Sequence, residues 1–475
     1  MSKHALKLTA AVAMLGIISG CTTVRAVNDE RAATLAAEST PIAPDHWTSV
    51  RERVGEVDVG WIAAFNDPTL TALVEEAQRN NRNLQAAAAS VRRANALVRQ
   101  AGAPLLPAVG ASADATRTEI IDGPGSNSRY SVGLQVSYEV DLWGRIEAGE
   151  AAAIASAQAA QADYVFAQYS IAASVARTYF LVIESREQAA VASGIVDALT
   201  EIFRIVELRY QYGFASEFDV SLAEADLQSA RDSLATAQNG EIEALRALEA
   251  LVGRYPAGLL DTAETLPVLP TAPGAGLPSE LLERRPDVIA AERDVAAALN
   301  SLSIARAARL PSLSLSSSIG GASSELENVL DPANIAWTIA GNLLAPIFQG
   351  GALDAQVDIA QADVDATVAI YADTAISAFT EVETALDRGV FLRTRREALE
   401  IAADRSRNAL RLSNLQYGQG EIDLFDVLGV QQRVFGAESS LLSLRRGQLN
   451  QYIELSLALG GDWRTSRQLT SDTSE

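Results

Sequence analysis

The sequence predicts an α+β membrane protein made of two copies of one unit. Each copy joins short amphipathic strands to helices longer than an ordinary globular domain uses. Three observations carry this. First, the pattern Tyr-x-x-Gly, five residues, Asp-Val runs from Tyr210 to Val220 and again from Tyr417 to Val427. The correspondence keeps an offset of 207 residues through Phe218/Phe425, Ala230/Ala437 and Leu248/Leu455 to Gly253/Gly460. A match that long at one offset marks an internal repeat. Second, Tyr130, Val132, Leu134, Val136, Tyr138 and Val140 alternate with Ser131, Gly133, Gln135, Ser137 and Glu139, the period of a strand with one apolar and one small polar face. Third, proline is absent between Pro124 and Pro256 and after Pro346. Continuous helix from Leu142 to Gly213 would reach roughly 105 Å at 1.5 Å per residue.

The chain opens with an export signal over residues 1–20. Lys3, His4 and Lys7 form its polar start, and Leu8 to Ile18 an apolar core too short to span a bilayer. Ile18-Ser19-Gly20-Cys21 follows, and Cys21 is the only cysteine. The stretch resembles the lipobox of bacterial lipoproteins, which makes Cys21 the lipidated first mature residue. Thr22 after it is compatible with an outer membrane address. Residues 21–60, with Pro41 and Pro44, read as an extended, lipid-anchored arm.

The first repeat covers 61–255. Asp67-Pro68 opens a helix, with proline in its first turn, and Leu70, Leu73, Val74 and Ala77 share a face. A second helix runs from about Leu84 to Ala103 and stops at Pro104. A β-hairpin occupies about 109–140, turning at Gly123-Pro124-Gly125-Ser126-Asn127. A long helical hairpin follows over about 142–253, its alanines Ala152, Ala155, Ala159 and Ala162 spaced for close helix packing. Residues 256–285 hold five prolines and read as a linker. The second repeat, 286–463, carries a hairpin at about 312–345 and a helical hairpin at about 347–460. Residues 464–475 form a polar, flexible tail.

Each copy of the repeated motif reads as the tight turn of a helical hairpin. Gly213 and Gly420 break the helix. Ser216 and Asp423 take matching N-cap positions with Asp219 and Asp426 three residues on, the spacing of a capping box. A carboxylate there stabilises a helix by roughly 0.3–1 kcal/mol whatever the function, so a capping role and a gating role both stay open for Asp219 and Asp426. Four strands cannot close a barrel, and a bilayer does not tolerate unpaired edges. Several copies must therefore share one barrel, with the apolar face toward lipid and the Ser/Gly/Gln face lining a wet lumen. Tyr130 and Trp337 near one end, and Tyr138 and Trp143 near the other, suit interfacial girdles.

Composition excludes other classes. Net charge is −22 and the only lysines are Lys3 and Lys7, so no basic cluster offers itself to nucleic acid. His46 is the only histidine outside the leader. No catalytic constellation, metal-ligand spacing or phosphate loop is present. The expectation is a non-enzyme without a cofactor beyond the covalent lipid on Cys21.

Several motifs together resemble the outer membrane efflux proteins of the TolC/OprM type, in the lipoprotein branch that serves RND-type multidrug pumps. They are Asp67-Pro68-x-Leu70, Tyr138-Glu139-Val140-Asp141-Leu142-Trp143-Gly144-Arg145, Arg284-Arg285-Pro286-Asp287, the two repeats, and Asp462-Trp463. The resemblance implies a homotrimer with a twelve-stranded barrel in the outer membrane of a Gram-negative bacterium and a long periplasmic α-helical barrel. It implies a passive exit duct for small molecules such as drugs, working with a periplasmic adaptor and an inner membrane pump. It places adaptor contacts at the helix tips, Gly213, Phe214, Ala215, Gly420, Glu421 and Ile422. It places a periplasmic gate at Tyr417, Asp426 and Asp219. In such proteins an Arg lies five residues after the gate Tyr and a second Asp follows. Here Ile422 and Gly429 hold those positions, so a closed state cannot use that full network, and cations, Tyr417 or other residues are expected to compensate. Two other functions fit the same residues: protein export in a type I secretion system, and a non-conducting structural envelope lipoprotein.

Overall fold

The computed structural model describes residues 29–40, 43–49, 60–119 and 126–461. Cys21 and Asp462-Trp463 lie outside these residues, as does the centre of the first β-turn. The order of elements is α1 (Asp29–Ser39), α2 (Pro68–Asn80), α3 (Arg82–Gly102), β1 (Ala108–Glu119), β2 (Ser126–Val140), α4 (Arg145–Gln211) and α5 (Glu217–Val252). It continues with α6 (Pro278–Arg284), α7 (Pro286–Ala307), β3 (Ser312–Ser323), β4 (Ile335–Leu344), α8 (Ala352–Gln419) and α9 (Leu424–Ala458). Two helices, two strands and two long helices thus occur twice in the same order. Helices α4 and α8 run 67 and 68 residues without a break.

The chain forms two compact units, whose boundaries fall within α3, α4, α7 and α8. The first holds the sheet. Its strands pair in sequence order β1-β2-β3-β4, all antiparallel, leaving β1 and β4 as edges. The register keeps the two faces separate across all four strands. Leu134 stands opposite Ala111 and Ile319, and Ile319 stands opposite Trp337. On the other face Gln135 stands opposite Gly110 and Ser318, and Ser318 opposite Thr338. Every residue of β4 is exposed, Trp337 at 72%. Ser126 and Asn127, expected in the turn, instead pair with Glu119 and Thr118 and extend β2.

The Tyr138–Arg145 motif is the joint from strand to helix. Asp141 Oδ2 accepts the backbone N–H groups of Ile146 and Glu147 at 3.0 and 2.8 Å, capping α4. Arg145 donates to Glu139 at 2.7 Å. Trp143 donates its indole N–H to the Pro311 carbonyl at 2.6 Å, so its polar edge is committed to the chain.

The second unit has a core of Trp61, Phe65, Leu70, Val74, Tyr179, Phe180, Leu248 and Ile453, among others. The four α2 residues expected to share a face are the four that are buried. Asp67 caps α2 through the Thr69 and Leu70 amides and accepts the Tyr179 hydroxyl at 2.7 Å. That hydroxyl accepts from Ala263 N at 3.0 Å. Burial, with the Asp67 bond next, pushes the Tyr179 pKa up. Arg285, 4% exposed, holds both Asp287 carboxylate oxygens, Glu381 at 2.6 Å and the Ala458 carbonyl. The most specific motifs of the sequence therefore tie separate helices to one another.

Residues 21–60 were expected to form an extended arm, yet α1 is a helix within them. Its sequence is rich in alanine, the best helix former. Ala32 and Ala36, one turn apart, are buried together. Further on, residues 47–49 are pinned. Trp47 donates to the Ala275 carbonyl at 3.0 Å, and the Glu383 carboxylate takes the backbone and hydroxyl donors of Thr48 and Ser49.

Candidate functional site: the paired helix turns

Both repeated motifs fold as expected, into tight turns between long helices. At the first, Gly213 has φ +79°, the Gly213 amide bonds the Tyr210 carbonyl at 2.9 Å, and the Phe214 amide bonds that of Arg209 at 2.8 Å. At the second, Gly420 has φ +77°, with Gly420 bonded to Tyr417 and Glu421 to Gln416 at 3.1 and 3.0 Å. Each is a Schellman termination. A Cβ at either glycine would meet nothing within 4 Å, so the left-handed backbone, not space, demands glycine.

The caps differ. Ser216 caps α5 in a closed box: Asp219 N donates to Ser216 Oγ at 3.2 Å, while Ser216 N and Oγ both donate to Asp219 Oδ2 at 2.8 Å. Those bonds, the backbone one first, hold the Asp219 carboxyl below its ordinary range. At α9 only half the box forms. Asp423 Oδ1 accepts the Asp426 amide at 3.1 Å, and no described residue bonds the exposed Asp426 carboxylate. The reciprocal bond expected there would bring two carboxylates together, whereas Ser216 offers a neutral hydroxyl that also donates.

Tyr417 is half-buried against a cluster of Leu199, Val206, Ala223, Leu227, Ala230, Leu424 and Leu428, which Ala215 also joins. This packing brings α4, α5, α8 and α9 together. The Arg209 guanidinium carbon sits 4.7 Å from the Tyr417 ring centroid, cation–π range. A cation from the first turn thus lies over the aromatic ring of the second. Arg209 was not singled out in the sequence, although its counterpart in the repeat is neutral Gln416. Ile422 is half-buried, Glu421 is exposed, and the Asp219 and Asp426 carboxylates share no bond. Phe214, Phe218, Tyr212 and Phe425 stand exposed around the turns, Phe214 at 80%.

Among the described residues no three His, Cys, Asp or Glu side chains group as a metal site. No described helix is long and apolar enough to cross a membrane.

The family model described as outer membrane efflux protein matches residues 73–254 and 277–461. The chain is 32% identical over 473 residues to the pyoverdine export outer membrane protein OpmQ of Pseudomonas aeruginosa, covering 96% of this chain and 98% of that one. It is 32% identical to the solvent efflux pump outer membrane protein SrpC of Pseudomonas putida, over 85% of this chain and 87% of that one. The solved Campylobacter jejuni CmeC outer membrane channel superposes with a TM-score of 0.84 at 25% identity, over 90% of this chain and 94% of that one. With most of its length matched in two blocks, the chain belongs to the outer membrane efflux protein family, and its place is the outer membrane.

Proposed function

We propose that three copies of this chain form one closed twelve-stranded barrel in the outer membrane, continued by a helical tunnel in the periplasm. The assembly is a passive exit duct for small molecules, driven by a partner pump. The observation that carries this is the sheet. It has one continuous apolar face, one small polar face and two unpaired edges. In a bilayer every backbone group must be paired, so edges have to close on other copies. The apolar face then meets lipid, and the face with Asp114, Thr116, Gln135 and Thr338 lines the lumen. A second feature agrees. Val390, Ile401 and Leu412 recur on α8 at steps of 11 residues, each exposed. Eleven residues are close to three helical turns, so they form one apolar ridge for a neighbouring copy.

The partners follow from the turns. Exposed Phe214 and Phe425 suit a periplasmic adaptor, and an inner membrane pump of RND type would supply the energy. Tyr417 and Asp426 form the periplasmic gate, with Arg209 as the cation and Asp219 bracing the first turn. Acylated Cys21 anchors the mature chain. Relatives named for pyoverdine export and solvent efflux favour small molecules over proteins as cargo.

Two measurements on the purified full chain test the reading. Native mass in mild detergent is expected to give three chains, and planar bilayers discrete conductance steps. A monodisperse monomer, or a trimer without conductance, would overturn it.

A further inference from the structure

Helices α4, α5 and α9 leave a cleft of about 340 Å³ between them in the second unit. Each contributes one face. Ala192, Ile195 and Leu199 come from α4, and Asp226, Ser229 and Ala230 from α5, with Ser233 one turn further on. Leu428, Gln431 and Phe435 come from α9. Ala192, Ser229, Ala230 and Ser233 are small side chains along it, which leaves the space open.

We propose that this cleft binds an organic monocation with an apolar body. Its size falls in the range of small-molecule sites, and its apolar walls with a few converging polar groups have the composition of one. Asp226 is the only charged group that lines it, and no described residue bonds its carboxylate. Burial pushes that carboxyl up, so a cation entering the cleft restores what desolvation removes. Gln431 is 6% exposed and lines the same space. No described residue bonds its amide, which leaves it available to a ligand in the cleft. The Phe435 ring adds a face that attracts cations. An anion would meet the carboxylate and find no donor charge. A neutral apolar ligand would leave both polar groups unanswered. The cleft shares Leu199, Ala230 and Leu428 with the cluster that packs Tyr417, but its polar groups, Asp226 and Gln431, are neither gate residues nor adaptor contacts.

Calorimetric titration of the purified full chain in detergent tests it, with benzyltrimethylammonium as the probe and benzyl alcohol and benzenesulfonate as neutral and anionic comparisons. The cation is expected to bind saturably and more tightly than either comparison. Asp226→Asn is expected to weaken the cation about tenfold while leaving benzyl alcohol unchanged. Asp226→Glu is expected to retain cation binding. Ala230→Leu, which fills the cleft without touching the charge, is expected to abolish it; this apolar exchange keeps the proposal testable should Asp226→Asn misfold. Absence of saturable binding would overturn the proposal, and so would equal cation affinity in wild type and Asp226→Asn, or undiminished affinity in Ala230→Leu.

Discussion

The Arg209–Tyr417 contact is expected to hold the two turns of each chain in one arrangement, and Arg209→Ala releases it. Both residues are half-buried, and the guanidinium lies 4.7 Å from the ring centroid. A contact so placed contributes about 0.5–1 kcal/mol. In a trimer whose gate opens in concert, three such contacts sum to roughly 1.5–3 kcal/mol, a shift of roughly 10- to 150-fold in the ratio of open to closed channels. Single-channel recording reads that ratio as open probability. Arg209→Lys keeps the charge but not the planar face, so its open probability should fall between the two. Tyr417→Leu should open the channel as Arg209→Ala does, and the double variant should add little to either, because the two residues act through one contact. Equal open probability in wild type and Arg209→Ala, or fully additive single effects, would refute the reasoning.

Four further predictions follow from the structure. Asp219→Asn should destabilise the chain by about 1 kcal/mol through its capping box and leave conductance unchanged. Asp426→Asn should reduce block by divalent cations and lower the melting temperature less than Asp219→Asn does, since its carboxylate holds no cap and acts on the helix only through its charge. Arg285→Met should destabilise by about 3 kcal/mol, the low end for a broken buried pair, because Glu381 is largely exposed and the Asp287 side chain partly so; denaturant midpoints measure it, and joint replacement of Asp287 should recover part of the loss. Glu383 concerns pH. Burial raises its pKa, but the Ser49 and Thr48 bonds outweigh this and hold it below its ordinary value. The arm's anchorage is therefore complete above the unfolded carboxylate range near pH ~4.3 and is lost as pH falls through the folded value. Proteolysis of the arm should accelerate over that acidic interval in wild type, while Glu383→Gln should show fast cleavage throughout.

Much of the fold was legible because its signals are periodic and strong. The buried face of α2 is a plain 3.6-residue stripe. The strands alternate cleanly, and each turn carries a glycine that the backbone conformation requires. Other features were hidden for physical reasons. Helix α1 had too few apolar residues to show a period, yet alanine propensity and two buried alanines make it. Pairing of β2 with β3 joins residues far apart in sequence, and no local spacing records it. The Arg-Arg-Pro-Asp motif was recognisable as a pattern, but only the fold shows that Arg285 gathers Asp287, Glu381 and the end of α9.

The candidate site shows the limit most clearly, because the repeat suggests two equivalent turns and the structure makes them unequal. Three exchanges at the 207-residue offset are enough. Ser216 against Asp423 closes one capping box and leaves the other half open, so the Asp219 carboxylate is consumed while that of Asp426 remains available. Arg209 against Gln416 places the cation on the first turn alone, and the ring it covers belongs to the second. Phe214 against Glu421 makes one tip apolar and the other acidic at the same position. Duplication explains the shared backbone, which glycine and the caps dictate. Divergence at these positions divides the labour, with the first turn supplying the brace and the cation and the second supplying the aromatic ring and the free carboxylate. Under threefold symmetry the free carboxylates form one ring of three like charges at the proposed gate, not two. Asp426, rather than Asp219, is then the position from which electrostatic repulsion drives opening and at which a bound cation opposes it.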